Sequence, residues 1–501
     1  MMGGRARRLL VRELVLPANV LLRLAECRPT DYPVLFDSAS RGPLARYSVL
    51  VAADADHALW LDPDGRVVAA GEARPHALVA GSGGFLAALQ AWWREVAAEA
   101  EPPAQMPAET GRSGGAAAAR PDPAPGIPAQ PWAGGFVVFA GYELAAEVEP
   151  RLQLPPISQP YGAFALRTRG ALVADLEWGR VWALSEPDAE GADRLRRLEA
   201  DATAALTAAP ARPAAVAAAV PGAIRIEEDD PARFLRQVAQ IQEHIRAGDL
   251  YQANLSRGWR AALPEGADLD ALYRRLRASN PAPFAVRAHW RGMSILSSSP
   301  ERLLQIADGR VSTRPIAGTR PRQPDDALQV DQATARELVA HPKERAEHVM
   351  LIDLERNDLG RICEAGTVRV DDFMTVETYA HVHHIVSGVS GRLRADVTPV
   401  GALRAVFPGG TITGCPKLRC MQVIGALEGE ARGAYTGSIG MLGLDGSADF
   451  NILIRTLTWI DGTVSLRAGA GIVADSVAER ELEETRAKAR GVLAALGAGA
   501  S

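Results

Sequence analysis

The sequence has 501 residues and a formal net charge of −5, from 55 Lys and Arg against 60 Asp and Glu. This mildly acidic balance excludes the broad basic field that drives non-specific nucleic-acid binding. Hydrophobic residues make up 47% and charged residues 23% of the chain, which excludes a fully disordered protein. No apolar run reaches the roughly 20 residues that a membrane-spanning helix needs. We expect about two to four domain-sized units, with neither nucleic-acid nor membrane partners.

The basic N-terminal segment, residues 1–16, has no cleavage-site pattern after an apolar stretch, so no signal peptide is expected. The four cysteines form neither a CxxC pair nor a zinc-finger pattern with histidine. Unpaired thiols are typical of reducing compartments. The sequence therefore predicts a cytoplasmic protein.

Two stretches rich in Pro, Ala and Gly, residues 101–130 and 201–222, have the composition of loops or linkers. The first interrupts an N-terminal region of short predicted strands, residues 1–210, because strand-like sequence resumes after it. The second is predicted to be the linker to a C-terminal domain, residues 224–498.

The C-terminal domain combines predicted helices and strands without regular βαβ alternation. The predicted elements are helices from Pro231, Pro342 and Pro416, strands over Tyr251–Trp259 and Asp449–Trp459, and a last helix that Ser476-x-x-Glu479 caps. This arrangement favours an α+β (mixed α/β) fold with a β-sheet core flanked by helices.

Two glutamates on separate predicted helices, Glu347 and Glu484, could share one divalent cation if the helices meet across a cleft. A hard cation such as Mg²⁺ takes one or two protein carboxylates together with waters and an anionic substrate oxygen. The alternative is that both are solvated surface glutamates, the commonest state of this residue type.

Two glycine-rich segments, Phe407–Lys417 and Arg467–Ser476, offer backbone N–H groups that could hold a carboxylate or a phosphate. The second is predicted to be a bend between a strand and the last helix. The first segment has neither the spacing of a Walker A loop nor that of GxGxxG. Tight packing turns are the alternative interpretation of both.

Lys488 follows Glu484 by one helical turn, which predicts either a surface ion pair or a pocket that holds a metal and a substrate carboxylate. Arg455 lies among apolar residues of a predicted strand, where burial would require an anionic partner such as a carboxylate. His381 and His383 share a strand face but lack the neighbours of a zinc site. One histidine of this segment is predicted to handle or orient a proton instead.

These motifs occur in an order that resembles the chorismate-utilising enzymes. The segments that carry the resemblance are LYQANLSR (250–257), SSSPERLL (297–304), RPIAGTRPR (314–322), ERAEHVMLIDLERNDLGRI (344–362), FPGGTITGCPK (407–417), GAYTGSIG (433–440), DFNILIRT (449–456), GAGIVADS (469–476) and ELEETRAKA (481–489). The match covers about residues 224–495 nearly continuously. The resemblance, which extends to VLFDSASRGPLARYS (34–48) in the N-terminal region, implies an anthranilate synthase component I-like fold.

The resemblance also implies roles for individual residues. Glu347 and Glu484 correspond to Mg²⁺ ligands, Glu301 to the general acid for the departing C4 hydroxyl of chorismate, and His384 to the histidine beside it. The implied substrate-binding positions are Gln252, Gly318, Thr319, Thr411, Tyr435, Arg455, Gly469, Ala470, Gly471 and Lys488. Ser38 stands where a serine can line a regulatory tryptophan pocket.

Three sequence features bear on the choice of reaction. Isochorismate and salicylate synthases place a lysine base at the position of Gln252, so addition of water at C2 is not expected. Several motifs look more like aminodeoxychorismate synthase component I, which aminates chorismate at C4 for 4-aminobenzoate and folate synthesis. Ala317 departs from that pattern, because many of those enzymes have a lysine there and anthranilate synthases have alanine.

We predict aminodeoxychorismate synthase component I, a chorismate-aminating transferase. The alternative is anthranilate synthase component I, which serves tryptophan synthesis, and the non-enzyme alternative is a pseudoenzyme that senses chorismate or tryptophan. The chain shows no GxCxG nucleophile turn. The resemblance therefore implies that a separate glutamine amidotransferase subunit supplies ammonia.

Overall fold

The computed structural model describes residues 9–40, 42, 44–77, 83–99, 131–208, 224–321, 336–337, 342–378 and 382–497. Their helices are α1 (Val20–Cys27), α2 (Arg74–Ala77), α3 (Gly84–Glu99), α4 (Ala145–Val148), α5 (Gly191–Thr207), α6 (Pro231–Arg246), α7 (Leu269–Ser279), α8 (Pro342–Gly360), α9 (Pro399–Val406), α10 (Lys417–Glu428) and α11 (Ala478–Ala495). Short 3₁₀ turns span Gly71–Ala73 and Tyr142–Leu144.

The strands alternate irregularly with these helices. They are β1 (Leu10–Leu14), β2 (Val34–Asp37), β3 (Tyr47–Leu61), β4 (Val67–Ala70), β5 (Gly135–Ala140), β6 (Ala163–Asp175), β7 (Arg180–Ser185), β8 (Ile226–Glu228), β9 (Gln252–Ala262), β10 (Phe284–Trp290), β11 (Met293–Ser299), β12 (Arg302–Ala307), β13 (Arg310–Thr313), β14 (Ile316–Pro321), β15 (Arg369–Val370), β16 (Thr375–Thr378), β17 (Val382–Val386), β18 (Val389–Arg392), β19 (Gly414–Cys415), β20 (Ser438–Leu442), β21 (Ala448–Asn451), β22 (Thr456–Ile460) and β23 (Thr463–Ile472).

Among the described residues, twenty strands belong to one hydrogen-bonded network, and β14, β17 and β16 form a separate three-stranded sheet in that order. Strands on opposite sides of the predicted linker pair directly, β2 with β10 and β5 with β20, both antiparallel. The N-terminal and C-terminal regions therefore contribute to one sheet. The domain boundaries themselves stay a prediction.

Helices cover the outer faces of the sheet. α1 and α5 pack on the N-terminal strands, and α7 and α11 pack beside β22 and β23. α6 and α10 cover the face of β9 and β23 that carries Leu255 and Ala470. Because side chains alternate along a strand, the opposite face of β9 and β23 is left to line a cleft. The predicted α+β class, a sheet core flanked by helices, is confirmed.

The local predictions had mixed outcomes. The helix predicted from Pro231 forms, and the Asp230 side chain accepts a hydrogen bond from the backbone N–H of Ala232 at 2.9 Å. The capping box predicted for the last helix was wrong, because the Ser476 hydroxyl accepts from the backbone N–H of Val473 instead. The seryl oxygen closes the preceding turn and is not available to the helix.

Two boundaries also differ from the predictions. The predicted linker begins at Asp201, but α5 continues to Thr207 because Ala202 and Ala205 are buried against the sheet. Residues 209–223 and 100–130, most of the two low-complexity stretches, lie outside the described residues. The bend predicted over residues 467–476 is mostly the end of β23, whose backbone pairs with β9. Within the described residues no helix is both long and apolar enough to cross a membrane.

Candidate active site

The floor of the cleft is made by β9 and β23, which pair antiparallel with Asn254 opposite Gly471. A Cβ atom on Gly471 would lie 2.4 Å from Gln252 Nε2 and 3.2 Å from Glu347 Oε1. A Cβ atom on Gly469 would lie 2.4 Å from Asn254 Oδ1. Glycine at both positions therefore leaves room for polar side chains to converge over the strand.

Ala470, between the two glycines, faces the other way. Its side chain is buried in the apolar cluster beneath α6 and α10. Of the predicted Gly469-Ala470-Gly471 segment, the two glycines line the cleft, and Ala470 can offer it only backbone atoms.

Glu347 projects from α8 to the β23 side of the cleft. Its Oε1 accepts a hydrogen bond from Gln252 Nε2 at 2.5 Å. These residues are 95 positions apart in the sequence, so the contact joins a helix and a strand that only the fold brings together. Among the described residues, the buried Gln252 Oε1 and Asn254 Oδ1 have no hydrogen-bond partner. Their lone pairs are free to meet a bound molecule.

Glu484 and Lys488 project from α11 into the same cleft. Lys488 Nζ lies 2.8 Å from Glu484 Oε1 and donates to the carbonyl of Gly469 at 3.0 Å. Burial opposes the charge on this ammonium group, but the charge and hydrogen bond of Glu484, with smaller contributions from Tyr435 and Glu347, outweigh it and raise the pKa of Lys488. Glu347 and Glu484 therefore act on one lysine and share one site.

Glu301 lies in the turn between β11 and β12 and is 5% exposed. Its Oε1 accepts a hydrogen bond from Thr411 Oγ1 at 2.7 Å, which brings the glycine-rich loop onto this carboxyl. Burial raises the pKa of Glu301 to about 7, although the bonds from Thr411 and the Ile316 backbone act in the opposite direction. Glu301 can therefore carry a proton near neutral pH.

Tyr435 lies above Gly469, because its hydroxyl would be 2.7 Å from a Cβ atom there. Burial raises the pKa of the Tyr435 phenol, so it stays protonated and can donate a hydrogen bond. It is positioned as a hydrogen-bond donor beside the backbone of β23.

Arg455 follows β21 in a left-handed backbone conformation, with φ of +52°. The continuous strand predicted over Asp449–Trp459 was wrong, because residues 452–455 separate β21 from β22. The Ser298 backbone N–H donates to the Arg455 carbonyl at 3.1 Å. The half-buried Arg455 side chain therefore takes its direction from this break and not from strand alternation.

The three-stranded sheet contributes Gly318 and His384. β14 has a bulge between Ala317 and Thr319, with Gly318 at φ of +77°, and its register pairs Thr319 with His384 on β17. His384 is 2% exposed. The backbone N–H of Ile316, on β14, reaches Glu301, so this sheet adjoins the acid.

Some predicted positions lie outside what the structure describes or outside the cleft. The side chains of Ala317, Thr319 and His383 are not described, and His381 lies outside the described residues. Ser38 is buried away from the cleft groups, where its hydroxyl donates to the backbone carbonyl of Tyr47 at 2.7 Å. The structure does not bring Ser38 together with the other predicted site residues.

Sequence reasoning missed two residues near the cleft, Asn254 and Glu355. Asn254 is two positions after Gln252 on a strand that the sequence predicts, so strand alternation was a signal for it. Glu355 is two helical turns after Glu347 on α8, and its carboxyl is 5% exposed. Only its burial distinguishes it from surface glutamates, and burial is not visible in the motif.

The cleft fits a divalent cation only in company with a ligand. Among the described residues, no group of three or more His, Cys, Asp or Glu side chains is arranged to hold a metal. Two carboxylates beside orphaned amide oxygens match Mg²⁺, which keeps several waters and shares its coordination with an anionic substrate. Glu347 and Glu484 are the residues that would hold such an ion.

Comparisons with known proteins show which family this chain belongs to. Residues 85–494 match the family model described as chorismate binding enzyme. The chain is 44% identical over 395 residues to anthranilate synthase component 1 of Streptomyces coelicolor, covering 75% of this chain and 74% of that protein. It is 39% identical over 386 residues to anthranilate synthase component 1 of Geobacillus stearothermophilus, covering 74% and 75%.

The fold is also similar to that of a solved anthranilate synthase component I. The crystal structure of anthranilate synthase component I from Streptococcus pneumoniae matches with a TM-score of 0.70 and 29% identity, over 90% of this chain and 93% of that one. The family match spans well over half of the sequence and includes the cleft residues described above. This chain belongs to the chorismate-binding enzyme family.

Proposed function

We propose that this protein is the chorismate-converting component of an anthranilate synthase, which forms anthranilate from chorismate with ammonia from a separate glutamine amidotransferase subunit. The sequence favours aminodeoxychorismate synthase through its motif wording, but the curated relatives at 44% and 39% identity are both named anthranilate synthase component 1. They favour the alternative. Ala317, in place of a lysine, agrees with them.

The proposal depends on a contrast in surroundings within one cleft. Glu301 is buried with a raised pKa, whereas Glu484 and Glu347 lie near the ammonium group of Lys488. Loss of the C4 hydroxyl from chorismate requires a proton, since hydroxide is a poor leaving group. Glu301, buried and with its pKa raised to about 7, is placed to donate it. We assign Glu301 as the general acid and His384, on the adjoining sheet, as a second proton-handling group.

The remaining residues would bind the substrate. Lys488, Tyr435 and Arg455, with the backbone of Gly469, Ala470 and Gly471, supply cationic and N–H or O–H donors suited to the two carboxylates of chorismate. Gln252, Thr411, Gly318 and Thr319 complete the proposed lining of the pocket. When bound between Glu347 and Glu484, Mg²⁺ would draw charge toward the ring carboxylate.

The proposed reaction conserves every atom and proton. Ammonia forms a bond to C2, the C4–O bond breaks, and the hydroxyl leaves as water with the proton of Glu301, which one proton of the new ammonium group replaces. The bond from ring C3 to the enolpyruvyl oxygen then breaks, the proton of C2 passes to the methylene carbon of that group, pyruvate departs, and the ring becomes aromatic. Gln252 and Asn254, whose amide oxygens are orphaned, offer acceptors for ammonia or for the substrate hydroxyl.

The test is to incubate the purified chain with chorismate, Mg²⁺ and ammonium chloride and to identify the products. We expect fluorescent anthranilate and one pyruvate for each anthranilate. A 4-amino product that a lyase converts to 4-aminobenzoate would contradict the proposal in favour of aminodeoxychorismate synthase. Chorismate binding without turnover, even after addition of the amidotransferase subunit, would indicate a sensor.

A further inference from the structure

A second buried glutamate lies beside the proposed acid. The backbone N–H of Gly410 donates to Glu355 Oε1 at 3.3 Å, and the hydroxyl of the next residue, Thr411, donates to Glu301 Oε1 at 2.7 Å. Consecutive residues of one loop thus bind two carboxyls that come from α8 and from the β11–β12 turn. A Cβ atom on Gly410 would approach Glu355 Oε1 to 3.0 Å, so the loop fits closely against this group.

The surrounding cations are engaged elsewhere. Lys417, at the start of α10, pairs with the buried Asp358 on α8, and Arg361 also pairs with Asp358. On the cleft side, Lys488 of α11 pairs with Glu484. Within the described part of the chain, neither Glu301 nor Glu355 has an ion-pair partner of its own.

Two such carboxyls resist ionising together. The pKa of Glu355 is raised to about 7, mainly by burial and also by the negative charge of Asp358, although Lys417 and the bond from Gly410 act in the opposite direction. The charge of Glu355 in turn raises the pKa of Glu301, and Lys488 lowers it. Like charges at short range in a buried site favour a proton on one member of the pair.

We propose that Glu355 is a positioning residue whose negative charge keeps the proton on Glu301, so that Glu301 stays protonated until it donates to the departing C4 hydroxyl. This inference rests on the proposed function for the role of Glu301. Glu355 acts through Glu301 and is not placed in contact with chorismate. Its effect is therefore on the pH range of turnover and not on substrate binding.

The test compares E355Q with the parent protein across about pH 5.5 to 8.5, at saturating chorismate, Mg²⁺ and ammonium. The substitution keeps the size of the side chain and the acceptor for Gly410 but removes the charge, so Glu301 should lose its proton at lower pH. We expect the ratio of kcat values, E355Q over parent, to fall by up to about tenfold from the acid to the alkaline end, with an unchanged KM for chorismate. E355D, which keeps the charge, should restore a flatter ratio.

D353N is the matched control, because Asp353 lies on α8 with a side chain 65% exposed and lines a cavity on another face of the helix. The ratio of kcat values, D353N over parent, should not vary with pH. A lower kcat for E355Q at a constant ratio across the pH range would indicate a structural role and overturn the inference.

An infrared titration separates this inference from the proposed function. The band of protonated carboxyl groups that E301Q removes should disappear at lower pH in E355Q than in the parent. If the protein does not turn over chorismate, the proposed function fails, while this band still decides whether Glu355 controls the proton on Glu301. An identical titration in E355Q and the parent would overturn the inference.

Discussion

The two ends of the cleft place glutamates in different surroundings. At one end, Glu347 and Glu484 flank Lys488, and the side chains of Glu484 and Lys488 are 48% and 41% exposed. At the other end, Glu301 is 5% exposed and lies beside another buried carboxyl. Lys488 lies beside Glu484 and both side chains are partly exposed, whereas burial favours the protonated form of Glu301. The same residue type therefore stands in two different environments.

The largest expected effect is at Glu301. E301Q should lower kcat by about a hundredfold to ten-thousandfold, because the amide cannot deliver a proton to the leaving hydroxyl. Chorismate affinity, measured by titration calorimetry, should stay within about twofold, since the shape is preserved. E364Q, at a surface glutamate with 48% of its side chain exposed, is the control and should behave as the parent. Full activity of E301Q would remove the acid assignment.

At the end of the cleft that contains Lys488, E347Q and E484Q should each lower kcat/KM by at least about a hundredfold, since each removes a carboxylate that would hold the metal. The concentration of Mg²⁺ needed for half-maximal turnover should rise in both variants, with unchanged circular dichroism. E483Q is the matched control, because Glu483 is the neighbour of Glu484 on α11 and is 64% exposed. Equal Mg²⁺ dependence in all four proteins would contradict the shared metal site.

A smaller effect is expected from adding a side-chain atom to the cleft floor formed by β9 and β23. G471A places a Cβ atom 2.4 Å from Gln252 Nε2, which must move and release its bond to Glu347. Because the displaced atom is the end of a flexible side chain, the Tm should change little while kcat/KM falls by about tenfold. G360A, at a helical glycine with open space around its Cβ position, should leave both unchanged. A large loss of Tm in G471A would show that the floor is structural.

The smallest effect concerns stability and pH. Burial raises the pKa of Glu301 from 4.5 to about 7, so between these values the folded protein holds a proton that the unfolded chain releases. The parent therefore loses stability as the pH rises through that range, and E301Q does not. We expect the Tm of E301Q relative to the parent to rise by about 2 °C from pH 5 to pH 8 in scanning calorimetry. A difference that is constant with pH, as expected for E364Q, would contradict a raised pKa.

Much of the local structure was predictable from short-range pattern. The cap at Asp230, the helices from Pro231 and Pro342 and the strand that carries Gln252 follow from residue types within a few positions. The predicted strand through Arg455 failed because alternation cannot show a left-handed residue that interrupts it. The capping box at Ser476 failed because its hydroxyl accepts from the competing backbone N–H of Val473.

The choice between two related reactions was the weakest inference. The wording of a few short motifs favoured amination at C4, whereas similarity over three quarters of the chain favours anthranilate synthase. Short motifs sample few of the residues that shape a pocket. Ala317 agrees with the wider similarity, because a missing amine removes a nucleophile whatever the surrounding sequence.

By itself, the sequence determined which segments form helices and strands and which residue types are available for chemistry, since both depend on neighbours along the chain. Only the tertiary structure decided which glutamates meet. Gln252 contacts Glu347 across 95 positions, and Thr411 contacts Glu301 across 110. It also decided which carboxyls have a raised pKa, because desolvation depends on everything packed around a group and not on its place in a motif.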